Sequence, residues 1–315
     1  MTAILGGLAA AVLWATATLA SSRSSRMIGS RVVLAWVMIV GTIVGAPLAL
    51  ATGIPSQIPP SALPLVLLAG LCYSGGLYAA YKALTIGKVS IVAPIIATEG
   101  AIGAVIAVVL GDTLSLIAAV LLAVIAVGVV LSTIEPARPD VPAGDIELAA
   151  DALDGPVRDE ALARIAGHAA LVADDAARTR RAALFSVTSA LIFGVGLVAA
   201  GKSAALIPPI WVAVAARVVG LVVVALPLVL QRRLVVTRQA LPLVVLAGIC
   251  EIIGSTASAW GSISSIPITV VLGSQFAAIA AVVAFLLFGE RLSRSQMTGV
   301  VLIVAGVSAL AASSV

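Results

Sequence analysis

Ten apolar stretches follow one another along the chain, and each approaches the roughly 20 residues that cross a bilayer as a helix. They cover residues 2–20, 31–50, 63–84, 88–110, 114–133, 182–201, 208–230, 241–262, 266–288 and 296–313. Only 10% of the residues are charged, whereas a soluble domain carries about 25%. Lipid must therefore cover most of the surface, and the sequence predicts an all-α integral membrane protein with ten transmembrane helices.

A ten-residue segment is written twice, as LPLVLLAGLC at residues 63–72 and as LPLVVLAGIC at residues 241–250. Eight positions are identical, and the copies lie 178 residues apart. The same offset places Gly111-Asp112 on Gly289-Glu290. Because each half then contains five spans, an odd number, the second copy must enter the membrane in the opposite sense. The pattern predicts two inverted five-helix repeats.

The repeats are assigned to residues 1–133 and 182–315, and residues 134–181 form a polar segment between them. This segment holds ten of the fourteen acidic residues and six arginines. A stretch from Val157 to Arg178 could form a helix with apolar residues loosely on one side. Two interpretations stay open for the segment: a solvated linker, or a docking and regulatory region.

The basic residues predict the orientation of the chain. Sixteen of the eighteen lysines and arginines lie in or beside the loops after the odd-numbered spans, and positive loops stay in the cytoplasm. We therefore expect the central segment inside and both termini outside, in a bacterial-type plasma membrane. The sequence pI of about 9.5 reflects these loops, so no nucleic-acid partner is expected.

Several short motifs, at similar spacing in both copies, resemble the EamA-type members of the drug/metabolite transporter superfamily. They are Leu13-Trp14, Tyr81-Lys82-Ala83-Leu84, Gly87-Lys88-Val89-Ser90, Val92-Ala93-Pro94-Ile95 through Glu99-Gly100, and Gly289-Glu290-Arg291-Leu292-Ser293. The resemblance implies a transporter of small metabolites or drugs with a central cavity and alternating access, in many relatives an exporter. Many relatives keep both termini in the cytoplasm, against the charge pattern here, and the acidic central segment is an addition.

Three ionisable residues lie near the middle of their spans, namely Glu99, Arg217 and Glu251. A charge there costs about 2.5–3.5 kcal/mol on insertion scales, so it must be paired, neutralised or exposed to water. They could face a cavity and bind substrate or protons, or form a buried Arg–Glu pair that locks helices together. At the 178-residue offset the two acids match Ala277 and Tyr73. Because neither acid has an acidic counterpart in the other repeat, both are better explained as residues of a binding site than as part of the duplicated scaffold.

Neighbouring polar and aromatic residues are candidates to complete the pocket. Ser274 and Gln275 fall within one helical turn of the position that matches Glu99, and the resemblance places a glutamate in that part of the fourth helix. The aromatic candidates are Tyr78, Tyr81 and Trp14. For Trp14 and Tyr78 a place in the interfacial aromatic belt is an equal alternative.

Residues 196–203 read GLVAAGKS and fit the phosphate-loop pattern, but that loop works only between a strand and a helix. No metal site, cofactor or enzymatic activity is expected. The predicted function is secondary transport, with export favoured, of a small metabolite or drug-like solute, with protons as a coupling partner and the chain as monomer or homodimer. The alternatives are a flippase for a lipid-linked substrate, a polytopic membrane enzyme, and a sensor or scaffold.

Overall fold

The structure, a computed structural model, describes residues 1–87, 89–133, 156–276, 278–279, 283 and 294–313. These residues form helices and connecting turns, with no strand among them. The helices are α1 (Thr2–Ile28), α2 (Ser30–Ala51), α3 (Ala62–Ile86), α4 (Val89–Ala97), α5 (Glu99–Val109), α6 (Leu116–Thr133), α7 (Pro156–Ala204), α8 (Pro209–Gly220), α9 (Leu226–Leu230), α10 (Leu241–Ser262), α11 (Ile266–Gly273) and α12 (Arg294–Ser313).

Among the described residues, six segments are long and apolar enough to cross a membrane: Thr2–Ile28, Ser30–Ala51, Ala62–Ile86, Ala177–Ala204, Pro209–Leu230 and Leu241–Ser262. Two shorter apolar helices, Ile95–Val109 and Leu116–Gly128, accompany them. Large aliphatic side chains stand exposed on the outer faces, such as Ile43 at 67% and Leu116 at 80%. Such surfaces require lipid, and the chain is a multi-pass integral membrane protein.

The predicted span at 88–110 is interrupted. Helix α4 ends at Ala97 and α5 begins at Glu99, and the amide of Thr98 donates to the carbonyl of Ile95, one residue short of an α-helical turn. Pro94 cannot donate a backbone hydrogen bond, so the helix is weakened just before this point. A similar interruption follows α11, where Ser274 and Gln275 form a turn. Most of the rest of the window 266–288 lies outside the described residues, as do Glu290 and Arg291.

A different irregularity lies between α8 and α9. Residues Leu221–Ala225 form a π-helical turn, and the amide of Leu226 donates to the carbonyl of Leu221. Pro227 lies immediately beyond. A proline within a helix removes one hydrogen bond and collides with the preceding turn. The wider π turn accommodates the missing hydrogen bond and the proline ring, so residues 209–230 remain one continuous helical segment.

The loops collect at two ends of the helix bundle. At the end that we call the basic end, the side chain of Arg26 donates to the carbonyl of Gly87 at 3.4 Å, and the indole of Trp36 donates to the carbonyl of Val235 at 3.3 Å. The opposite end is called the vestibule end. There the indole of Trp211 donates to the carbonyl of Gly53 at 3.1 Å, and the Thr2 and Ser264 side chains form a hydrogen bond.

The two halves of the chain interleave instead of packing as separate bundles. Helix α1 packs mainly against α10, and α3 packs mainly against α7; α6 lies against α12. Glycines allow the closest approaches. A methyl group added at Gly70 would lie 2.8 Å from Val219 Cβ, and one at Gly248 would lie 2.6 Å from Val40 Cβ. Each half therefore inserts the same glycine of the duplicated segment against a valine of the other half.

The central segment is partly helical. Helix α7 spans 49 residues from Pro156 to Ala204 and is thus about 70 Å long, roughly twice what a bilayer core requires. Its apolar part begins at Ala177. The structure therefore extends the helix expected at 157–178 directly into the sixth predicted span, without a break at residue 181. Residues 134–155 lie outside the described part of the chain.

Candidate functional site

Two small cavities lie between the halves of the molecule, and both are more enclosed than the space at the vestibule end. The first, called the basic-side cavity, has a volume of about 40 Å³ and is lined by Trp14, Thr18, Tyr73, Leu77, Ala80, Tyr81, Leu84, Ala93, Ile96, Glu99, Phe193, Leu197, Glu251 and Phe276. The second, called the vestibule-side cavity, has a volume of about 30 Å³. Both volumes admit water but no metabolite.

Four side chains border both cavities and separate them. They are Trp14, Tyr73, Phe193 and Leu197. The rings of Tyr73 and Phe193 pack edge to face with centroids 5.8 Å apart. The indole of Trp14 lies against Gly254 and Gly273, so it is wedged between α10 and α11. One aromatic layer therefore lies between the two cavities.

Glu99 lies in the wall of the basic-side cavity because it is the first residue of α5, directly after the break at Thr98. It is only 4% exposed, and its Oε2 atom has no hydrogen-bond partner. The second acid of the cavity is Glu251. A buried carboxyl group with an unused oxygen beside a cavity can accept a proton or a solute donor.

Glu251 belongs to a buried polar cluster. The hydroxyl of Tyr73 donates to Oε2 of Glu251, and Nη2 of Arg217 lies 3.6 Å from that same oxygen. The guanidinium also donates to the hydroxyl of Tyr73 at 3.1 Å, to the carbonyl of Glu251 at 2.9 Å and to Oγ of Ser255 at 2.9 Å. It lies 4.1 Å from the centroid of the Tyr73 ring, within range of a cation–π interaction.

Arg217 is fully buried, and its hydrogen bonding is incomplete. The Nε and Nη1 atoms have no partner, although the residue lines the vestibule-side cavity. The side chain lies against Gly41 of α2, where an added methyl group would be 3.0 Å from Nε. The guanidinium thus links α8, α3 and α10 and retains unused donors.

A larger, open space lies at the vestibule end. It measures about 520 Å³ and is rich in polar residues, among them Thr113, Ser115 and Ser265. Lys202 Nζ donates to Oδ1 of Asp112 at 2.5 Å in its wall. Gly201 and Ser262 line both this space and the vestibule-side cavity. The three spaces therefore follow one another through the molecule.

The structure brings most of the predicted site residues together and places the others apart. Glu99, Glu251, Tyr81 and Trp14 share the basic-side cavity, and Arg217 borders the other one. Tyr78 lies elsewhere: its ring packs 5.4 Å from the guanidinium of Arg31, whose Nε donates to its hydroxyl at 3.4 Å.

Ser274 and Gln275 are buried in the turn that follows α11 and lie outside the linings of both small cavities. Each side chain donates to the carbonyl of Val271, from Ser274 Oγ at 2.8 Å and from Gln275 Nε2 at 3.0 Å. They therefore stabilise the helix interruption. Their hydroxyl and amide groups complete the end of α11 instead of extending into a cavity.

Sequence reasoning missed three residues of the site: Tyr73 as a hydrogen-bonding partner, Ser255 and Phe193. Ser255 Oγ lies 2.9 Å from the Tyr73 hydroxyl and donates to the carbonyl of Glu251 at 2.7 Å. Its position four residues after Glu251, on the same helical face, was an available signal. The described residues contain no group of three or more His, Cys, Asp or Glu that could hold a metal ion.

Comparison with known proteins agrees with this architecture. The model of the EamA-like transporter family matches residues 1–134. No curated protein gives a significant match. A solved structure, titled only as the crystal structure of a protein, matches with a TM-score of 0.71 and 18% sequence identity, over 98% of this chain and 96% of that chain. That likeness in fold covers both halves of the chain, and residues 1–134 match the EamA-like transporter family.

Proposed function

We propose that the chain crosses the membrane ten times as two inverted repeats. The packing supports this arrangement because some inter-half contacts have a counterpart. Gly41 lies against Arg217 as Gly220 lies against Met38. The two glycines are 179 residues apart, one more than the offset of the duplicated segment, and the same offset pairs Met38 with Arg217.

The duplicated segments meet at one point. Tyr73 and Glu251 occupy matched positions of the repeat, 178 residues apart, and are bonded to each other. Two equivalent residues can touch in this way when a two-fold axis passes between them. A two-fold axis at this point would fit inverted repeats, in which equivalent helices run in opposite directions.

The chain then acts as a secondary transporter that moves a small solute by alternating access. The single observation that carries this proposal is the pair of small cavities at the interface of the halves, which share an aromatic layer of Trp14, Tyr73 and Phe193. Rocking of one half against the other would open one cavity while it closes the other. The open polar space at the vestibule end provides the entrance or exit.

Within this scheme Glu99 binds and releases a proton as access to the cavity switches from one side of the membrane to the other. The protonation state of Glu99 then affects that of Glu251. The two carboxyl groups line the same small cavity, where two negative charges oppose each other. Arg217 holds Glu251 and Tyr73 together in this conformation. Its unused donors supply a ligand for an anionic group of the solute when the cavity opens.

The test is transport by proteoliposomes, with uptake and efflux of a panel of small metabolites and drugs measured with and without a pH gradient. The wild-type chain should move at least one solute at a rate that depends on the gradient. Glu99→Gln should remove that dependence. Asp112→Asn deletes a carboxyl group outside the two small cavities and should retain it. Gradient-driven transport that Glu99→Gln leaves intact refutes this role for Glu99.

Orientation is part of the proposal: the basic end faces the cytoplasm, and the termini and vestibule end face outward. The basic loops support it. Single cysteines at Ser56, on the vestibule end, and at Gln231, on the basic end, provide the test after replacement of Cys72 and Cys250. An impermeant thiol reagent added to whole cells should label position 56 and spare position 231. Labelling of position 231 but not of position 56 would show that the chain has the opposite orientation in the membrane.

A further inference from the structure

The part of α1 near the basic end contains a group of buried serines, and two of them, Ser21 and Ser25, line neither of the two small cavities. Ser21 is 0% exposed and Ser25 is 2% exposed. A helical serine ordinarily donates to the carbonyl four residues earlier, as Ser24 does to Ala20 at 2.9 Å. The hydroxyls of Ser21 and Ser25 have no such bond and no other partner. A buried hydroxyl without a partner costs about 1–3 kcal/mol.

These hydroxyls share one face of the helix with the cavity. Thr18, Ser21 and Ser25 are spaced by three and four residues, so their side chains lie above one another. Thr18 lines the basic-side cavity. Ser21 is the polar neighbour of the Tyr81 hydroxyl, and Tyr81 lines that cavity together with Glu99.

The row leads from the cavity to the surface. Ser25 lies within one turn of the end of α1, where its carbonyl accepts from the amide of Gly29 at 3.0 Å. The next residue, Arg26, is exposed and bonds to Gly87 at the basic end. The row of hydroxyls therefore runs from the cavity that Glu99 lines towards the basic end.

We propose that Thr18, Ser21, Ser25 and Tyr81 form a hydrated path that carries water and protons between the basic end and Glu99. Waters in the path satisfy the unused hydroxyls. Each hydroxyl accepts a proton from one neighbour and gives its own to the next, so the path is unchanged while the Glu99 carboxylate becomes a carboxylic acid. Among the described residues, the titratable side chains that line this cavity with Glu99 are Glu251, Tyr73 and Tyr81, and Arg217 is paired with Glu251. The proton path rests on the proposed role of Glu99.

Water access can be measured without any substrate. Single cysteines replace Ser21, Ser25 or, as the matched control, Ser24 in a background with Cys72 and Cys250 replaced by alanine. Infrared spectroscopy then follows exchange of the thiol S–H to S–D after mixing with D₂O. Ser21→Cys and Ser25→Cys should exchange about tenfold faster or more than Ser24→Cys, whose position is equally buried but lies off the path. Equal rates at the three positions overturn the path.

A second measurement addresses the proton. The carbonyl band of protonated Glu99, identified as the band that Glu99→Gln removes, should be deuterated rapidly in the wild type. Ser21→Val fills the path and should slow that exchange about tenfold, whereas Ser24→Ala should not. If the Glu99 band of Ser21→Val is deuterated as fast as that of the wild type, the proposed path is wrong. Rapid thiol exchange with no Glu99 band at any pH keeps the water path and rejects the proton role of Glu99.

Discussion

Helices α3 and α10 each contain one copy of the ten-residue segment, and they differ at the position that directly follows it. Both use the glycine at the same repeat position to approach a valine of the opposite half, Gly70 at Val219 and Gly248 at Val40. The position that follows the matched cysteines is Tyr73 in one copy and Glu251 in the other. The close-packed contacts are therefore duplicated, whereas the charges are not.

This difference shows how two similar segments can form an asymmetric site. Where they meet, the two copies supply one hydroxyl and one carboxylate, which can bond to each other, whereas two tyrosines or two glutamates would not pair in the same way. The surrounding positions have diverged in the same sense: the second half provides Arg217 where the first provides Met38. Both members of the Arg217–Glu251 pair belong to the second half and lie where the halves meet.

Arg217→Met gives the second half the residue that the first half has at Met38. Of the variants considered, it should lower the free energy of unfolding most. The variant leaves the buried Glu251 without its cation, which costs about 3–5 kcal/mol of unfolding free energy. Adding Glu251→Gln should restore most of that loss, because no unpaired charge remains. Denaturant unfolding in one detergent measures both. A single variant as stable as the wild type would show that the pair contributes little.

Gly248→Ala and Gly70→Ala test the symmetric part of the comparison. The added methyl groups would lie 2.6 Å and 2.8 Å from valine side chains, so each variant should lose about 1–3 kcal/mol. Gly75→Ala is the matched control on α3, since its nearest neighbour would be 3.8 Å away. A large loss in only one of the two copies would show that the close-packed contacts have also diverged. The same unfolding assay applies.

Tyr73→Phe removes only the hydroxyl where the two copies meet. That hydroxyl bonds to Glu251, Arg217 and Ser255, and its loss should lower the unfolding free energy by about 1–3 kcal/mol. The ring contact with Phe193 should persist, because it does not involve the oxygen. Retention of the aromatic signal in near-ultraviolet circular dichroism checks that point, and loss of that signal would contradict it.

Lys202→Ala should have the smallest effect. The ion pair with Asp112 also joins the two halves, but its side chains are 33% and 22% exposed, and such pairs contribute about 0–1 kcal/mol. The comparison with Arg217 isolates burial as the cause of the difference. A loss as large as that of Arg217→Met would assign the vestibule pair a structural role.

Apolar membrane helices could be predicted from the sequence because lipid imposes a length and a composition on every span. Hydropathy predicted ten spans, and six segments of the described residues qualify as such. The two repeats, taken from the offset of 178 residues, stay a prediction. Glu99, Arg217 and Glu251 were found because a charge within an apolar span is costly. These inferences need no knowledge of neighbouring helices.

Other properties depended on tertiary packing. Tyr78 and Tyr81 are three residues apart on α3, yet Tyr81 lines the cavity and Tyr78 packs on Arg31. Helical phase alone does not predict which side a neighbouring helix occupies. The meeting of Tyr73 with Glu251 likewise follows from tertiary packing. Composition determined that this chain enters a membrane, whereas the interleaving of its halves decided which polar groups share a buried space, because only contact between distant segments brings them together.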